Sequence, residues 1–406
     1  MPTLSTRKKL AYSLVLCVLL WGLVELVCLG GLVALDRYKG MTYTPARGEV
    51  FERKHRRSLE VHLKAKAPYM TFDSVLGWTI RPHGSRGGYR ADGGGIRGDR
   101  EHALTPPAGK VRIGAFGDSF THATSVPNGQ TWQDQVERLL PGVEVLNFGV
   151  PAYGLDQAYL RYRELGVHYH PHVVFMGFMS ENIKRGVNTF RPFYYPQSGM
   201  PFSKPRFAIH GDQLVLIPNP MPTLDDYHQL LEKPDQVLPR LGEHDDYYRR
   251  HSHRSRFDFL PSVRFAEVMA TRFREPVKQG GVYNTSSEAY RVALGTFEQF
   301  AREVRGNGSL PVAVFFPERG DVRAHREGKP ASYSPLRADL EARGLQVIDL
   351  LGAFDRYDPE GELAQSHFVH YPREGNRMVG SYVRDVLAEL GLDTLEGVEK
   401  ALAAGR

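Results

Sequence analysis

Residues 111–121 read VRIGAFGDSFT. Val111 to Phe116 is a short, nearly continuous apolar run that stops at Gly117. A strand that is apolar on both sides belongs to a sheet covered on both faces, which is the habit of parallel α/β sheets. The next three residues, Gly117-Asp118-Ser119, form a turn that leaves a hydroxyl at the strand's carboxyl end.

The alternation continues beyond this turn. Thr131–Leu140 has helical spacing, with Trp132, Val136, Leu139 and Leu140 on one face and Thr131 as N-cap. Val143–Gly149 (VEVLNFG) is a second strand. Leu155–Leu165 is a helix with Leu155, Ala158, Tyr159, Tyr162 and Leu165 on one face, and His172–Phe178 (HVVFMGF) is a third strand. The pattern then breaks: residues 184–280 are aromatic, proline-rich and irregular, with a hairpin at Arg206–Ile217 around Gly211-Asp212. Alternation resumes with a helix at Glu288–Val304, strands at Val312–Phe316 and Leu345–Leu350, and a closing helix at Arg373–Leu390. The expected fold is a doubly wound, three-layer α/β/α parallel sheet over 106–392, interrupted by an insertion at about 184–285. Residues 393–406 read as a tail.

Before the domain, Leu10–Leu35 is apolar apart from small polar residues and Glu25, and Arg7, Lys8 and Lys9 precede it. The run exceeds the roughly 20 residues that span a bilayer. It is longer than the core of a cleaved signal, and no small-residue cleavage site comes after it. Residues 1–36 are therefore expected to be an uncleaved signal-anchor helix, with the remainder outside the cytoplasm. Arg37, Lys39, Arg47, Arg53 and Lys54 lie after the span, so charge counting alone does not orient it. Arg37 to about Lys66 is polar and charged, a stalk or a peripheral helix. With the glycine-rich stretch after Trp78 it makes a lead-in over 37–105.

The 406-residue chain suits one large domain or one domain with a sizeable insertion. Its two cysteines, Cys17 and Cys28, both lie in the N-terminal run. No disulfide framework, thiolate chemistry or cysteine-type zinc site is therefore available to the rest. The net charge of +6 is a mild excess, and no nucleic-acid motif accompanies it.

In open α/β sheets the site lies beyond the carboxyl ends of the strands. Four segments sit there: Gly117-Asp118-Ser119-Phe120-Thr121, Asn147-Phe148-Gly149, Ser180-Glu181-Asn182, and His370-Tyr371-Pro372-Arg373-Glu374-Gly375-Asn376. A serine hydroxyl is a weak nucleophile and needs a base within hydrogen-bond reach. His370, at the mouth of another connection, is the candidate base for Ser119.

These blocks, above all GDSFT and VLNFGVPAYGLDQ, resemble those of the SGNH (GDSL-like) hydrolases, named for Ser, Gly, Asn and His. The resemblance runs from about Tyr69 to Leu390. The lead-in FDSVLGWTIRP is similar to that of membrane-anchored bacterial members. The resemblance implies a flavodoxin-like fold and an oxyanion hole made by the Ser119 and Gly149 backbone N–H groups and the Asn182 side chain. It implies ester chemistry through an acyl-enzyme without cofactor or metal. It further implies O-acetyl chemistry on an acylated carbohydrate, an extracytoplasmic polysaccharide, sometimes beside a membrane-bound O-acyltransferase. Hydrolysis and transfer share the acyl-enzyme and both stay open, as does a lipase-like carboxylesterase.

Two positions depart from the pattern. Ile183 comes after Asn182 where Asp is usual. The family's Asp-x-x-His carboxylate position is occupied by His367, which cannot supply a negative charge. Either Ser119 and His370 act as a dyad, or a carboxylate comes from elsewhere, with Asp358, Glu362 and Glu374 nearby in sequence, or the domain is a weak or inactive glycan-binding or assembly module.

Other signals have plainer readings. His168, His170 and His172 alternate, but no carboxylate pattern completes a metal site. His251 and His253 among Arg249, Arg250, Arg254 and Arg256 make a basic patch, a solvated face or a contact for lipid headgroups or an acidic glycan. Asp225-Asp226 and Asp245-Asp246 are explained by loop solvation. Phe193, Tyr194, Tyr195 and Trp78 are expected to pack rather than to stack on sugars.

Overall fold

The computed structural model describes residues 5–39, 51, 53–211, 213–251, 256–273, 277–365 and 369–404. A helix α1 spans Thr6–Lys39. Leu10, Leu14, Leu19, Leu26 and Val33 on it are all more than half exposed. It is long and apolar enough to cross a membrane.

The central sheet has five strands: β1 (Val111–Phe116), β2 (Val143–Asn147), β3 (Val173–Met179), β4 (Leu310–Phe316) and β5 (Gln346–Asp349). All pairings are parallel, in the order β2-β1-β3-β4-β5. This is the doubly wound order whose switch point lies between β1 and β3, and it is the fold that the SGNH resemblance implies. Every residue of β1, β2 and β3 is buried, which is why those strands read as nearly continuous apolar runs; the charges in them, Arg112 and Glu144, pair at 2.7 Å.

Helices cover both faces. On one side lie α2 (Trp132–Leu139), capped by Thr131 in a reciprocal bond pair with Asp134, and the C-terminal helix Arg373–Glu389 that packs on it. On the other, α3 (Leu155–Glu164) packs against the helix Glu288–Gly306. A helix at Leu395–Ala404 occupies the expected tail.

The lead-in contains the helix Arg53–Lys64 and the hairpin Met70–Asp73/Gly77–Ile80. Gly77 turns that hairpin at φ 86°, and a β-carbon there would lie 2.0 Å from the Ser203 carbonyl oxygen, so only glycine fits. The hairpin supports the loop after β2. Trp78 is fully buried and donates from its indole to the Pro151 carbonyl, and Tyr153 Oη donates to the Trp78 carbonyl at 2.6 Å.

The insertion holds the expected hairpin, Arg206–His210 with Gln213–Ile217. It also holds short helices at Leu224–Glu232, Pro234–Leu241 and Asp246–His251, and after them α4 at Pro261–Phe273. These depart from the irregular reading. Thr223 and Asp226 cap the first of them, and Pro234 opens the next at a position where a missing N–H costs nothing. Asp245 also departs from expectation. It is wholly buried rather than solvated, accepting hydrogen bonds from the Asn188 amide and from the backbone of Thr189, Tyr247 and Tyr248. Burial raises its carboxyl to about 6. Phe193 is core, whereas Tyr195 is exposed.

Candidate active site

Ser119 opens a single helical turn, Ser119–His122, directly after β1. Ala123 stops the turn in the left-handed conformation, so the helix offers local N–H donors rather than an extended dipole. Phe120 N–H is taken by the Asp118 carboxylate at 2.9 Å. Ser119 N–H, the first donor of the turn, has no intrahelical partner by construction.

His370 reaches this turn from the other end of the domain. Its Nε2 lies 2.7 Å from Ser119 Oγ. With Nε2 accepting the hydroxyl proton, Nδ1 carries the ring's own hydrogen. The imidazole lies 5.2 Å from the Phe120 ring. The next residue fixes the loop: Tyr371 Oη donates to the Pro317 carbonyl and the Asn376 amide donates to the Tyr371 carbonyl. Burial lowers the His370 pKa. The buried Asp118 carboxylate opposes that shift and the Arg185 guanidinium adds to it.

The end of β2 is pressed against the same turn. Val150 N–H donates to the Gly117 carbonyl at 3.0 Å. A β-carbon on Gly149 would lie 2.3 Å from His122 N, so glycine is required by this close approach. Gly149 N–H itself points to Asn147 Oδ1 at 3.1 Å. Asn182, just after β3, donates one amide hydrogen to Asp118 Oδ2 at 3.0 Å, and its second hydrogen remains. The structure thus gathers Ser119, Gly149, Asn182 and His370 at one edge of the sheet.

His367 lies outside the described residues. None of the three neighbouring carboxylates bonds His370 among the described residues. Asp358 accepts from Leu363 N–H and pairs with Arg326, and Glu362 and Glu374 are exposed. The carboxylate that bears on the imidazole is Asp118, which in the sequence is legible only as part of a turn.

Asp118 belongs to a buried cluster that sequence reasoning missed. Arg185 Nη1 pairs with Asp118 at 3.1 Å and donates to the Tyr153 carbonyl at 2.7 Å. Its other nitrogen pairs with Glu181 at 3.2 Å. Tyr194 Oη donates to Glu181 at 2.7 Å, and Arg191 stands 3.9 Å from it. Burial raises Asp118, yet every group touching it is a donor, so it is the acceptor of the cluster. Glu181 is held down to about 2, its burial outweighed by Arg185, Arg191 and the Tyr194 hydroxyl. The Glu181–Arg185 spacing of four was a legible helical signal.

A cavity of about 610 Å³ adjoins the pair, lined by Phe120 and Val369, which flank Ser119 and His370, and by Lys278, Glu318 and Arg319. Burial, with Glu181 and Asp321 nearby, pushes the Glu318 carboxyl up to about 7.

His122, three residues after the serine, is no rival base. It is wholly buried behind the turn, bonded to Tyr69 Oη at 2.9 Å and to Arg97. The alternating histidines do not converge: His168 sits in a short helical turn, His170 ends it in the left-handed conformation, and His172 Nδ1 accepts from Arg112 N–H. Among the described residues no group of three potential metal ligands occurs.

No family model and no curated protein matches the chain. Among solved structures the chain is similar to a protein assigned to the lipolytic G-D-S-L family from Desulfitobacterium hafniense DCB-2. The identity is 13%, the TM-score 0.35, and 68% of this chain and 100% of that one are covered. It is similar to a member of the lipolytic protein G-D-S-L family from Veillonella parvula DSM 2008, at 12% identity and TM-score 0.32 over 69% and 99%. It is also similar to a GDSL-like lipase from Bacteroides thetaiotaomicron VPI-5482, at 12% identity and TM-score 0.31 over 69% and 88%.

Proposed function

We propose that the protein is a serine esterase or O-acyltransferase of SGNH type, anchored to a membrane by α1, acting on ester-linked acyl groups of an extracytoplasmic polysaccharide. The observation that carries the chemistry is the 2.7 Å contact between Ser119 Oγ and His370 Nε2 at the carboxyl edge of the sheet. In the proposed reaction Ser119 Oγ attacks the ester carbonyl as its proton passes to His370 Nε2. Ser119 N–H and the free Asn182 hydrogen stabilise the oxyanion, and Gly149 N–H joins them by leaving Asn147 Oδ1. The carbon–oxygen bond to the leaving alcohol breaks as His370 returns the proton to that alcohol. Water, or a sugar hydroxyl, then takes the acyl group from Ser119 by the same proton route in reverse. A membrane-bound O-acyltransferase is the partner proposed for a transfer role. Support for the surface substrate comes from the exposed apolar α1 and from the polar residues lining the cavity beside the pair.

The missing carboxylate gives the most discriminating experiment. Hydrolysis of a chromogenic acetyl ester is compared for the wild type, His367→Asp and His370→Ala. In a dyad helped only by Asp118, His367→Asp raises the rate and His370→Ala removes it. Full activity in His370→Ala would end the case for that base, and an absence of turnover in the wild type would favour the glycan-binding module.

The environment of His370 also sets a pH profile. Burial lowers its pKa below the ordinary value of about 6.5, so the free base persists into mildly acid solution. The acid limb of kcat/KM is expected below pH 6.5. Asp118→Asn removes the charge that opposes this shift and moves the limb lower still. A limb above pH 6.5 in the wild type would contradict this account of the site.

A further inference from the structure

The reading of α1 as a membrane span leaves Glu25 unexplained, because a carboxylate inside an apolar run is costly to place in hydrocarbon. The structure gives it a partner in the insertion. Ser262 donates to Glu25 twice, from its backbone N–H at 2.8 Å and from its hydroxyl at 2.6 Å. Pro261 opens α4 and has no N–H, so Ser262 carries the first free backbone donor of that helix. Glu25 therefore caps α4 from another element and meets the positive end of its dipole.

The contact continues along both helices. A β-carbon on Gly31 would come within 2.7 Å of the Phe265 ring. The half-buried positions of α1 are Gly22, Glu25, Cys28, Gly31, Leu32 and Leu35. Steps of three turn back by about 60° each, so these positions form a band that slants across one half of the helix. Since Glu25 meets Ser262 and Gly31 meets Phe265, α4 runs in the same direction as α1 along that band.

Leu10–Leu35 is about 39 Å long at about 1.5 Å per residue, more than the roughly 30 Å of hydrocarbon. Counted from Lys9, about 20 residues end near Leu29. Glu25 then lies about one turn inside the boundary on the side of the domain. Just before α4, Phe257 and Phe259 are 58% and 68% exposed, and Arg256 beside them is exposed.

We propose that α4 docks on α1 at the bilayer boundary through Glu25 and Ser262, and that Phe257 and Phe259 insert into the lipid interface there. The partner of this surface is the bilayer itself. Exposed aromatic side chains next to a cation suit the level where apolar chains meet headgroups. The domain is thereby held at a fixed height and orientation over the membrane instead of swinging on a free stalk. This rests on the reading of α1 as a span, and the test separates the two.

The full chain, with Cys17 and Cys28 replaced by serine, is reconstituted in phospholipid nanodiscs. A nitroxide is attached in turn to Leu19→Cys, Phe259→Cys and Lys400→Cys. Collision with oxygen, which concentrates in lipid, is compared with collision with a water-soluble nickel chelate. The expected result is a lipid-like ratio at 19 and 259 and a water-like ratio at 400. Adding Glu25→Ala should shift the ratio at 259 toward that at 400 while leaving 19 unchanged. A lipid-like 19 with a water-like 259 would overturn the docking but not the span. A water-like 19 would overturn the span and the docking with it. An unchanged ratio at 259 in Glu25→Ala would overturn the role given to Glu25.

Discussion

Ser119→Ala is expected to lower ester turnover by about 10⁴-fold or more while leaving the fold intact. Removing a serine nucleophile or its histidine in a hydrolase of this chemistry costs up to about 10⁶ in rate, and what survives comes from oxyanion donors and binding. Among the described residues no carboxylate bonds His370, which is why the lower figure is expected. The structural effect is small because Ser119 Oγ is bonded to His370 alone among the described residues. The turn is kept by Asp118 accepting from Phe120 N–H and by Val150 bonding Gly117. Rates of the purified full chain in detergent, with thermal unfolding measured in parallel, check both halves. Equal turnover in the two proteins would remove Ser119 from the reaction.

Arg185→Ala should bring the largest loss of stability, about 3–5 kcal/mol. The guanidinium is 4% exposed and lies between Asp118, 2% exposed, and Glu181. Taking it away strands the buried Asp118 without its cation and leaves Glu181, 26% exposed, to Arg191 and Tyr194, and breaking a pair at its buried end costs far more than the pair's net worth. It also frees the Tyr153 carbonyl, which Arg185 Nη1 satisfies. The surface pair Lys400–Glu396, with side chains 74% and 77% exposed, is the control: Lys400→Ala should change stability by no more than about 0.5 kcal/mol. Urea unfolding of both variants beside the wild type measures the difference. A loss below about 1 kcal/mol in Arg185→Ala would mean that the cluster is better hydrated than its burial indicates.

The parts of the fold that were legible are those in which one physical rule acts alone. Strands buried on both faces are mostly apolar, so β1, β2 and β3 are readable from composition despite the buried Arg112–Glu144 pair, and β3 differs from its expected bounds by one residue at each end. Thr131 announces α2 because an N-cap is a local bond; its reciprocal partner Asp134 came from the structure. The insertion was not legible in this way. Its helices are short, two open on proline, and their apolar residues are held by contacts with distant parts of the chain, as when Tyr227 packs against Phe72 and Phe202. The docking of α4 on α1 joins residues more than 200 positions apart, and neither helix carries a mark of the other except Glu25.

At the site, the four blocks were visible because each sits where a strand ends. Their mutual distances were not visible. Neither was the convergence on Asp118, which brings together residues after β1 and β3 and reaches the loop after β2 through the Tyr153 carbonyl. The hairpin carrying Trp78 shapes that loop in turn. The segment read as a lead-in to the domain is therefore a supporting wall of the site.

The proposed reaction depends on Ser119 as a nucleophile activated by His370. It is tested most directly by treating the full chain with a fluorophosphonate and locating the adduct by mass spectrometry. One adduct is expected, on Ser119, formed at least about 100-fold more slowly in His370→Ala and absent in Ser119→Ala. An adduct on another residue, or labelling of Ser119 at an equal rate without His370, would contradict it.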